Sequence, residues 1–176
     1  MKLFSGLQFD NFEEQDVELL APVMKRAFDE DAKRHLNEEH GGPDGYDDGN
    51  FLRKWALHKD SRAFKISKDE KPIGVVILWI NKNNENFLGN MFIDADLQDK
   101  GLGTAVWKFV ESEYPETVIW RTETPGFSKR NHNFYVNKCG FKIVRIDNPG
   151  NKYEESYFME KEMVKKRFFT DFFTGL

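Results

Sequence analysis

The chain has 176 residues, of which 39% are hydrophobic and 15% aromatic, and its formal net charge is −4 at pH 7. This composition is typical of one folded domain, because disordered chains lack the aromatic residues that offset the entropy of ordering. The negative charge argues against a broad nucleic-acid-binding surface, whose affinity depends on lysine and arginine. The chain lacks a signal-peptide pattern and any stretch of the roughly 20 apolar residues that a membrane span needs, so we expect a cytoplasmic protein without a membrane partner.

Metal chemistry has little support in the sequence. Cys139 is the single cysteine, which rules out an internal disulfide and argues against a cysteine-based metal site. His35 and His40 are five residues apart, and the other two histidines are distant from them in sequence. This spacing matches no metal-binding motif, so we expect no bound metal.

The first half of the chain predicts two helices followed by an antiparallel meander. In chain order the predicted elements are a short edge strand at 6–12, a helix at 13–35, a loop at 37–50, a short helix at 51–57 and strands at 63–67, 73–80 and 87–94.

The second half alternates strands with helices. It predicts a helix at 101–114, a strand at 117–124, a short helix at 128–139 ended by Gly140, and strands at 141–147 and 156–163. We therefore predict a single α/β domain over residues 1–176, with a core at about 7–163 and an aromatic tail at 164–176. Its mixed, mostly antiparallel sheet of about seven strands would be flanked by about four helices.

The segment between the meander and the third helix carries two glycines, Gly101 and Gly103, directly before a helical pattern. The first N–H groups of a helix have no partner within the helix, and the helix dipole places partial positive charge there. Glycines at this point remove Cβ atoms that would keep an anion away from those N–H groups. Residues 98–103 therefore favour a diphosphate-binding turn, although two glycines between a strand and a helix also occur in purely structural turns.

The same segment resembles the acetyl-CoA signature of the GCN5-related N-acetyltransferase (GNAT) family, which reads Q/R-x-x-G-x-G/A. Gln98, Gly101 and Gly103 match it without a gap, and the predicted element order from about Leu7 to Met163 matches that of the family. The resemblance implies that acetyl-CoA is bound and that its diphosphate is held by backbone amides. The residues implied are Gln98, Asp99, Lys100, Gly101, Leu102, Gly103 and Thr104, with the backbone of Met91, Phe92 and Ile93 holding the pantetheine arm and the thioester.

A second stretch, residues 131–141, resembles the part of the family that carries a tyrosine before a Gly-Phe pair. The resemblance implies that Tyr135 protonates the departing thiolate and that Asn131 contacts the pantetheine arm. Tyr135 lies five residues before Gly140, whereas the family spacing is four, so the assignment requires a one-residue bulge in the helix. Without the bulge, the aromatic rings at 134 and 135 would simply pack under the sheet.

The general base and the acceptor are the parts of the site that the sequence indicates least clearly. Glu123, at the carboxyl end of the strand at 117–124, is our candidate base, with Asp94 and Glu85 as rivals. The acidic loop at 38–49 would suit a cationic amine through simple attraction, although such loops also serve only solubility.

The resemblance implies an N-acetyltransferase that acts on a primary amine of a small molecule or peptide, as a monomer or a homodimer. The acetyl group would pass by direct attack in a ternary complex. A non-catalytic acyl-CoA-binding sensor on the same fold is the alternative, and it would bind coenzyme A without transfer. A small interaction domain would show no affinity for coenzyme A.

Overall fold

The computed structural model describes residues 1–98 and 100–163, so the aromatic tail at 164–176 lies outside the described residues. Its strands are β1 (Lys2–Phe4), β2 (Leu7–Asn11), β3 (Ser61–Lys68), β4 (Lys71–Trp79), β5 (Glu85–Ile93), β6 (Ile119–Pro125), β7 (Lys142–Asp147) and β8 (Ser156–Glu162). Its α-helices are α1 (Val17–Leu36), α2 (Asn50–Trp55), α3 (Leu102–Glu113) and α4 (Lys129–Asn133), and a π-helical turn at Phe134–Lys138 continues α4. No helix in this part of the chain is long and apolar enough to cross a membrane.

The strands form one sheet in the order β1-β2-β3-β4-β5-β6-β8-β7, in which only β5 and β6 are parallel neighbours within the described residues. The predicted α/β fold with a mixed, mostly antiparallel sheet is confirmed, with eight strands in the described residues rather than about seven. The additional strand is β1, which pairs with β2 through a turn at Ser5 and Gly6, both with positive φ. A three-residue strand is too short to be recognised from its hydrophobic period.

Helices cover both faces of the sheet. α1 and α2 pack on one face in a buried cluster that includes Leu20, Met24 and Ile77. α3 and the π-helical turn pack on the other face, where Trp107 and Trp120 are almost completely buried. Burying each such side chain contributes about 1.5–3 kcal/mol, so these clusters fix the helices against the sheet.

The sheet opens between β5 and β6. These strands pair only as far as Leu88 and Thr122; beyond them, β5 follows β4 and β6 follows β8. The register between β4 and β5 shifts at Gly89, and such a bulge bends the strand that carries it. A Cβ atom at Gly89 would lie 2.9 Å from the Trp79 Nε1, which explains the glycine. We call the opening beyond Leu88 and Thr122 the strand gap.

Asp29 holds the loop after α1 against that helix. Its carboxylate accepts hydrogen bonds from the Tyr46 hydroxyl at 2.7 Å and from the Gly41 N–H at 3.2 Å, and it pairs with Lys25. Burial alone would raise the pKa of Asp29, but hydrogen bonds from Lys25, Tyr46, His40 and Gly41 outweigh burial and lower the pKa to about 2. The ionised carboxylate therefore stabilises this part of the fold.

We expect Asp29→Asn to lower the free energy of unfolding by about 1–2 kcal/mol at pH 7. The pKa of Asp29 is lower in the folded chain than its ordinary value of 3.8. Its contribution is therefore present above about pH 4 and is lost as the pH falls through about 2. Urea denaturation over this range should show the two proteins converging in stability. Asp69→Asn, at an exposed turn position, is the control and should change the free energy of unfolding little. A stability difference between wild type and Asp29→Asn that stays constant down to about pH 2 would contradict this role of Asp29.

Candidate active site

The connection from β5 to α3 ends in a left-handed glycine. Gly101 has a φ of 76° and directly precedes Leu102, the first residue of α3. A Cβ atom built on Gly101 would meet nothing within 4 Å, so the space beside it is open. The unpaired N–H groups of the first turn of α3 lie at this end of the helix. The turn can therefore hold an anionic group such as a diphosphate.

Gly103 is explained by packing rather than by open space. A Cβ atom there would lie 3.1 Å from Phe134 Cε2 and 3.2 Å from its Cζ. These distances are shorter than ordinary van der Waals contact, so a side chain at this position would displace the Phe134 ring. The sequence pattern alone indicates the approach of a phosphate at both glycines. The structure shows that Gly103 also lets α3 pack closely against the π-helical turn.

The first cleft lies between β5, the Gly101 turn, α1 and α4. The predicted cofactor-binding residues that line it are Met91, Phe92, Ile93, Gln98, Gly101, Leu102, Gly103, Thr104 and Asn131. Lys100 is exposed and is not among the lining residues; its Nζ donates to the Asp96 carbonyl at 3.1 Å. Asp99 lies outside the described residues. The structure thus brings most of the predicted residues to one cleft.

A polar network connects three walls of the first cleft. Arg130 of α4 donates a hydrogen bond to the Gln98 Oε1, and one of its guanidinium nitrogens lies 3.6 Å from the Asp31 Oδ1 of α1. Gln98 Nε2 in turn donates to the Ile93 carbonyl at 3.1 Å. Asp31 is only 8% exposed. The Gln98 side chain therefore ties the end of β5 to α4, and Arg130 extends the connection to α1.

The helix after β6 contains the extra residue that the Tyr135 spacing requires. α4 ends at Asn133, and in the π-helical turn the Cys139 N–H donates to the Phe134 carbonyl at 3.1 Å, five residues back. A π-turn accommodates one more residue than an α-turn, and such turns recur at functional sites. The five-residue spacing between Tyr135 and Gly140 is thus absorbed within the helix.

Tyr135 itself lies behind the first cleft. It is 6% exposed, and its ring packs against Phe141 with 5.6 Å between ring centroids. Phe134 and Lys138 form the adjacent cleft wall, whereas Tyr135 lines neither cleft described here. The proposed contact of its hydroxyl with the leaving thiolate therefore stays a prediction.

The Tyr135 hydroxyl is nevertheless close to the base of the strand gap. It lies near the Thr122 side chain, whose hydroxyl donates to the Leu88 carbonyl at 3.0 Å. Leu88 and Thr122 form the last paired position of β5 and β6. Burial raises the pKa of Tyr135 well above its ordinary value, so the phenol keeps its proton at physiological pH.

The second cleft reaches the strand gap from another side. It is lined by Phe87 and Gly89 of β5, by residues 123–125 of β6, and by residues 147–148 and 153–156 around the β7–β8 turn. Thr122 is buried on the α3 face, and since side chains alternate along a strand, Glu123 projects to the opposite face. Both clefts therefore border the place where β5 and β6 separate.

The three candidate bases differ in their partners. Asp94 pairs with Arg26 at 2.7 Å, and that hydrogen bond lowers the pKa of Asp94. Glu85 pairs with Arg121 at 2.7 Å. Glu123 is exposed, lines the second cleft and has no ion-pair partner among the described residues. Glu123 is thus the candidate whose carboxylate is free to accept a proton.

Sequence reasoning missed the contributions of Asp31, Phe134 and Lys138 to the first cleft. No local motif marks Asp31, because α1 reaches the cleft only through tertiary packing. Phe134 and Lys138 are four residues apart and so share a helical face, a spacing visible in the sequence. From the sequence we instead expected Tyr135 to be the aromatic residue of this segment that contacts the bound coenzyme.

Comparison with known proteins agrees with this geometry. The family model described as "Acetyltransferase (GNAT) family" matches residues 24–141. An uncharacterised Bacillus subtilis protein, YrkN, is 44% identical over 87 residues, which cover 49% of this chain and 47% of that protein. The match thus spans about half the length of this curated relative.

Solved structures share the fold at low sequence identity. The PaiA N-acetyltransferase of Thermoplasma acidophilum, solved in complex with coenzyme A, has a TM-score of 0.71 at 16% identity, over 89% of this chain and 99% of its own. The ribosomal-protein-S18-alanine N-acetyltransferase of Escherichia coli has a TM-score of 0.68 at 18% identity, over 93% and 99%. The family match covers well over half of the chain and includes α3, the Gly101 turn and the first cleft. The chain therefore belongs to the GNAT family of acetyltransferases.

Proposed function

We propose that the protein is an acetyl-CoA-dependent N-acetyltransferase that acetylates a primary amine by direct attack in a ternary complex. The observation that carries the proposal is the convergence of two clefts on the strand gap. One cleft has an anion-binding turn and exposed strand backbone, as a long phosphorylated thioester requires. The other offers a separate entrance for an amine. Both substrates can then meet without a covalent enzyme intermediate.

The chemistry needs a neutral amine, a polarised carbonyl and a proton for the leaving thiolate. The amine nitrogen attacks the thioester carbonyl carbon, the C–S bond breaks, and the amine loses one proton. Glu123 lines the second cleft, so we assign it to accept that proton, directly or through water. The backbone N–H groups of Met91 and Ile93 point away from β4 and are left unpaired by β6, so one of them would stabilise the oxyanion.

The Tyr135 phenol is our proposed source of the thiolate's proton. Its position near Thr122 at the base of the strand gap supports this role, while its burial favours the alternative of a coenzyme A-binding sensor without transfer. We propose that the protein acts in the cytoplasm as a monomer or homodimer.

The direct test is to combine acetyl-CoA binding by calorimetry with an assay of thiol release over a panel of primary amines. Micromolar acetyl-CoA binding together with amine-dependent thiol release would support the enzyme. Binding without release for any amine would favour the sensor. Absence of binding would overturn both.

The coenzyme-binding role of the Gly101 turn predicts a specific loss. We expect Gly101→Ala to weaken acetyl-CoA binding about tenfold, because the new Cβ occupies the open space beside the turn. It should also cost about 1 kcal/mol of stability, since alanine is strained at positive φ. Gly6→Ala is a matched control, because Gly6 has a φ of 78° and equally open surroundings in the β1–β2 turn. Equal acetyl-CoA affinity in the two variants would contradict the assignment.

Lys138 should contribute charge to coenzyme binding. It lines the first cleft one helical turn from Phe134, whereas Lys129, on the same helical segment, does not line it. We expect Lys138→Met to weaken acetyl-CoA binding about three- to tenfold at low salt, with a smaller effect at high salt because charge attraction is screened. Lys129→Met should bind normally. Identical affinities for the two variants at low salt would refute a role for Lys138.

The proton-donating role of Tyr135 predicts a change in turnover rather than in binding. We expect Tyr135→Phe to lower kcat by about 100-fold, within the usual range for loss of a general acid, while the Kd for acetyl-CoA is unchanged. Tyr114→Phe is the control, since Tyr114 is also largely shielded from solvent but packs against Trp120 at the far end of α3. Unchanged kcat in Tyr135→Phe would remove Tyr135 from the mechanism.

A further inference from the structure

The first cleft has a single carboxylate among the described residues that line it, that of Asp31. Its other charged lining residues are Arg130 and Lys138, as expected for a cleft that attracts an anionic coenzyme. A carboxylate at this place repels the diphosphate that the Gly101 turn would hold. A favourable contact between Asp31 and another part of the same ligand would offset that repulsion.

The packing of α1 places Asp31 at the wall of the first cleft. Ala27 and Phe28 line the cleft beside it, and residues at these spacings share one face of a helix. The Arg26–Asp94 ion pair, at 2.7 Å, fixes this part of α1 to the end of β5. The position of the Asp31 carboxylate beside β5 is therefore set by the fold.

The Asp31 carboxylate lacks a hydrogen bond that its burial requires. The residue is 8% exposed, and its buried Oδ1 accepts no hydrogen bond from any described residue. A guanidinium nitrogen of Arg130 and the Nε2 of His35 each lie 3.6 Å from this oxygen, which is beyond hydrogen-bonding distance. Arg130 instead donates to the Gln98 Oε1. A buried acceptor without a donor is rare in folded proteins and costly, so this oxygen is suited to a donor from a ligand.

The chemistry of coenzyme A restricts which of its groups can be that donor. Its diphosphate and its thioester offer only acceptors near neutral pH, whereas the pantetheine arm between them carries two amide N–H groups and a hydroxyl. Asp31 lies on α1, which is fixed to the end of β5, and β5 is the strand to which we assign the arm and the thioester. An amide N–H that donates to an ionised carboxylate forms a charge-assisted hydrogen bond, which is stronger than a neutral one.

We propose that Asp31 is a further coenzyme-binding residue, whose carboxylate accepts a hydrogen bond from an amide N–H of the pantetheine arm. This inference rests on the proposed function, because it takes acetyl-CoA as the ligand of the first cleft. The contact holds the arm from the side of α1 while the β5 backbone holds it from the side of the sheet. It also gives the site a preference for the complete coenzyme, because a nucleotide fragment meets the repulsion of Asp31 without gaining the hydrogen bond.

The test is a thermodynamic cycle that combines removal of the charge with removal of the arm. Acetyl-CoA and 3′-phosphoadenosine 5′-diphosphate, a fragment that keeps the nucleotide and the diphosphate but lacks the arm, are titrated calorimetrically into wild type and Asp31→Asn. We expect the substitution to lower the ratio of acetyl-CoA affinity to fragment affinity about five- to tenfold, since hydrogen bonds to charged acceptors are the stronger ones. The fragment itself should bind as well as before or better, because a like charge is removed.

Glu30→Gln is the matched control for the loss of a negative charge on α1. Glu30 directly precedes Asp31, pairs with Arg34 at 3.0 Å and does not line the first cleft. This variant should leave the affinity ratio unchanged. If Asp31→Asn changes the affinities of both ligands equally, or abolishes both, Asp31 acts through stability or overall charge and the inference is wrong.

Assays of acetyl transfer separate this inference from the proposed function. If amines are acetylated but Asp31→Asn leaves the affinity ratio unchanged, the inference is wrong and the proposed function stands. If Asp31→Asn lowers the ratio but wild type acetylates no amine, the inference stands and the proposed function fails. A wild-type protein that binds neither ligand would overturn both.

Discussion

The separation of β5 from β6 is the constraint on which the rest of the site depends. Two parallel strands in one sheet normally satisfy each other's backbone groups along their length. Here the pairing stops at Leu88 and Thr122, and the bulge at Gly89 turns β5 away. Apart from the Ile93 carbonyl, which accepts from Gln98, the N–H and C=O groups that β6 would have occupied are left for a ligand. A sheet that is otherwise continuous thereby acquires an internal edge at which a substrate can bind.

The fold stabilises this opening from outside the gap. β4 and β8 remain paired with the two separating strands, and α1 and α3 pack on opposite faces of the sheet. Arg130 connects Gln98 to Asp31 across the first cleft, while the Glu38–Tyr153 hydrogen bond connects the loop after α1 to the β7–β8 turn. These contacts join segments far apart in sequence, so the two clefts are held at fixed positions relative to the gap.

The sequence was sufficient for the features that are local. The hydrophobic periods of α1 and α3 and the strands of the meander predict the observed elements closely, and the Gln98–Gly103 spacing indicates the family. The five-residue spacing from Tyr135 to Gly140 even implies the π-helical turn, because an extra residue must be accommodated within one helix. In each case the residues that interact lie within a few positions of one another, so the sequence pattern shows them together.

The features that the sequence did not reveal depend on contacts between distant segments. Gly103 is explained by the Phe134 ring, 31 residues later, and no local pattern connects the two. The charge of the second cleft comes from β6 and the β7–β8 turn, whereas the most conspicuous acidic run in the sequence supports the cleft's rim. The burial of Tyr135 likewise follows from the packing of the helix on the sheet. Tertiary packing, rather than composition or spacing, decides each of these outcomes.

We infer that the strand gap joins the two clefts at the reacting atoms. The most direct measurement is a diffraction structure of the protein with bound acetyl-CoA. We expect the diphosphate beside Gly101 and the thioester in the strand gap. Its carbonyl oxygen should accept a hydrogen bond from the β5 backbone, and its far side should be open to Glu123. Coenzyme bound with its thioester outside the gap, or a gap closed by pairing of β5 with β6 beyond Leu88, would contradict the account.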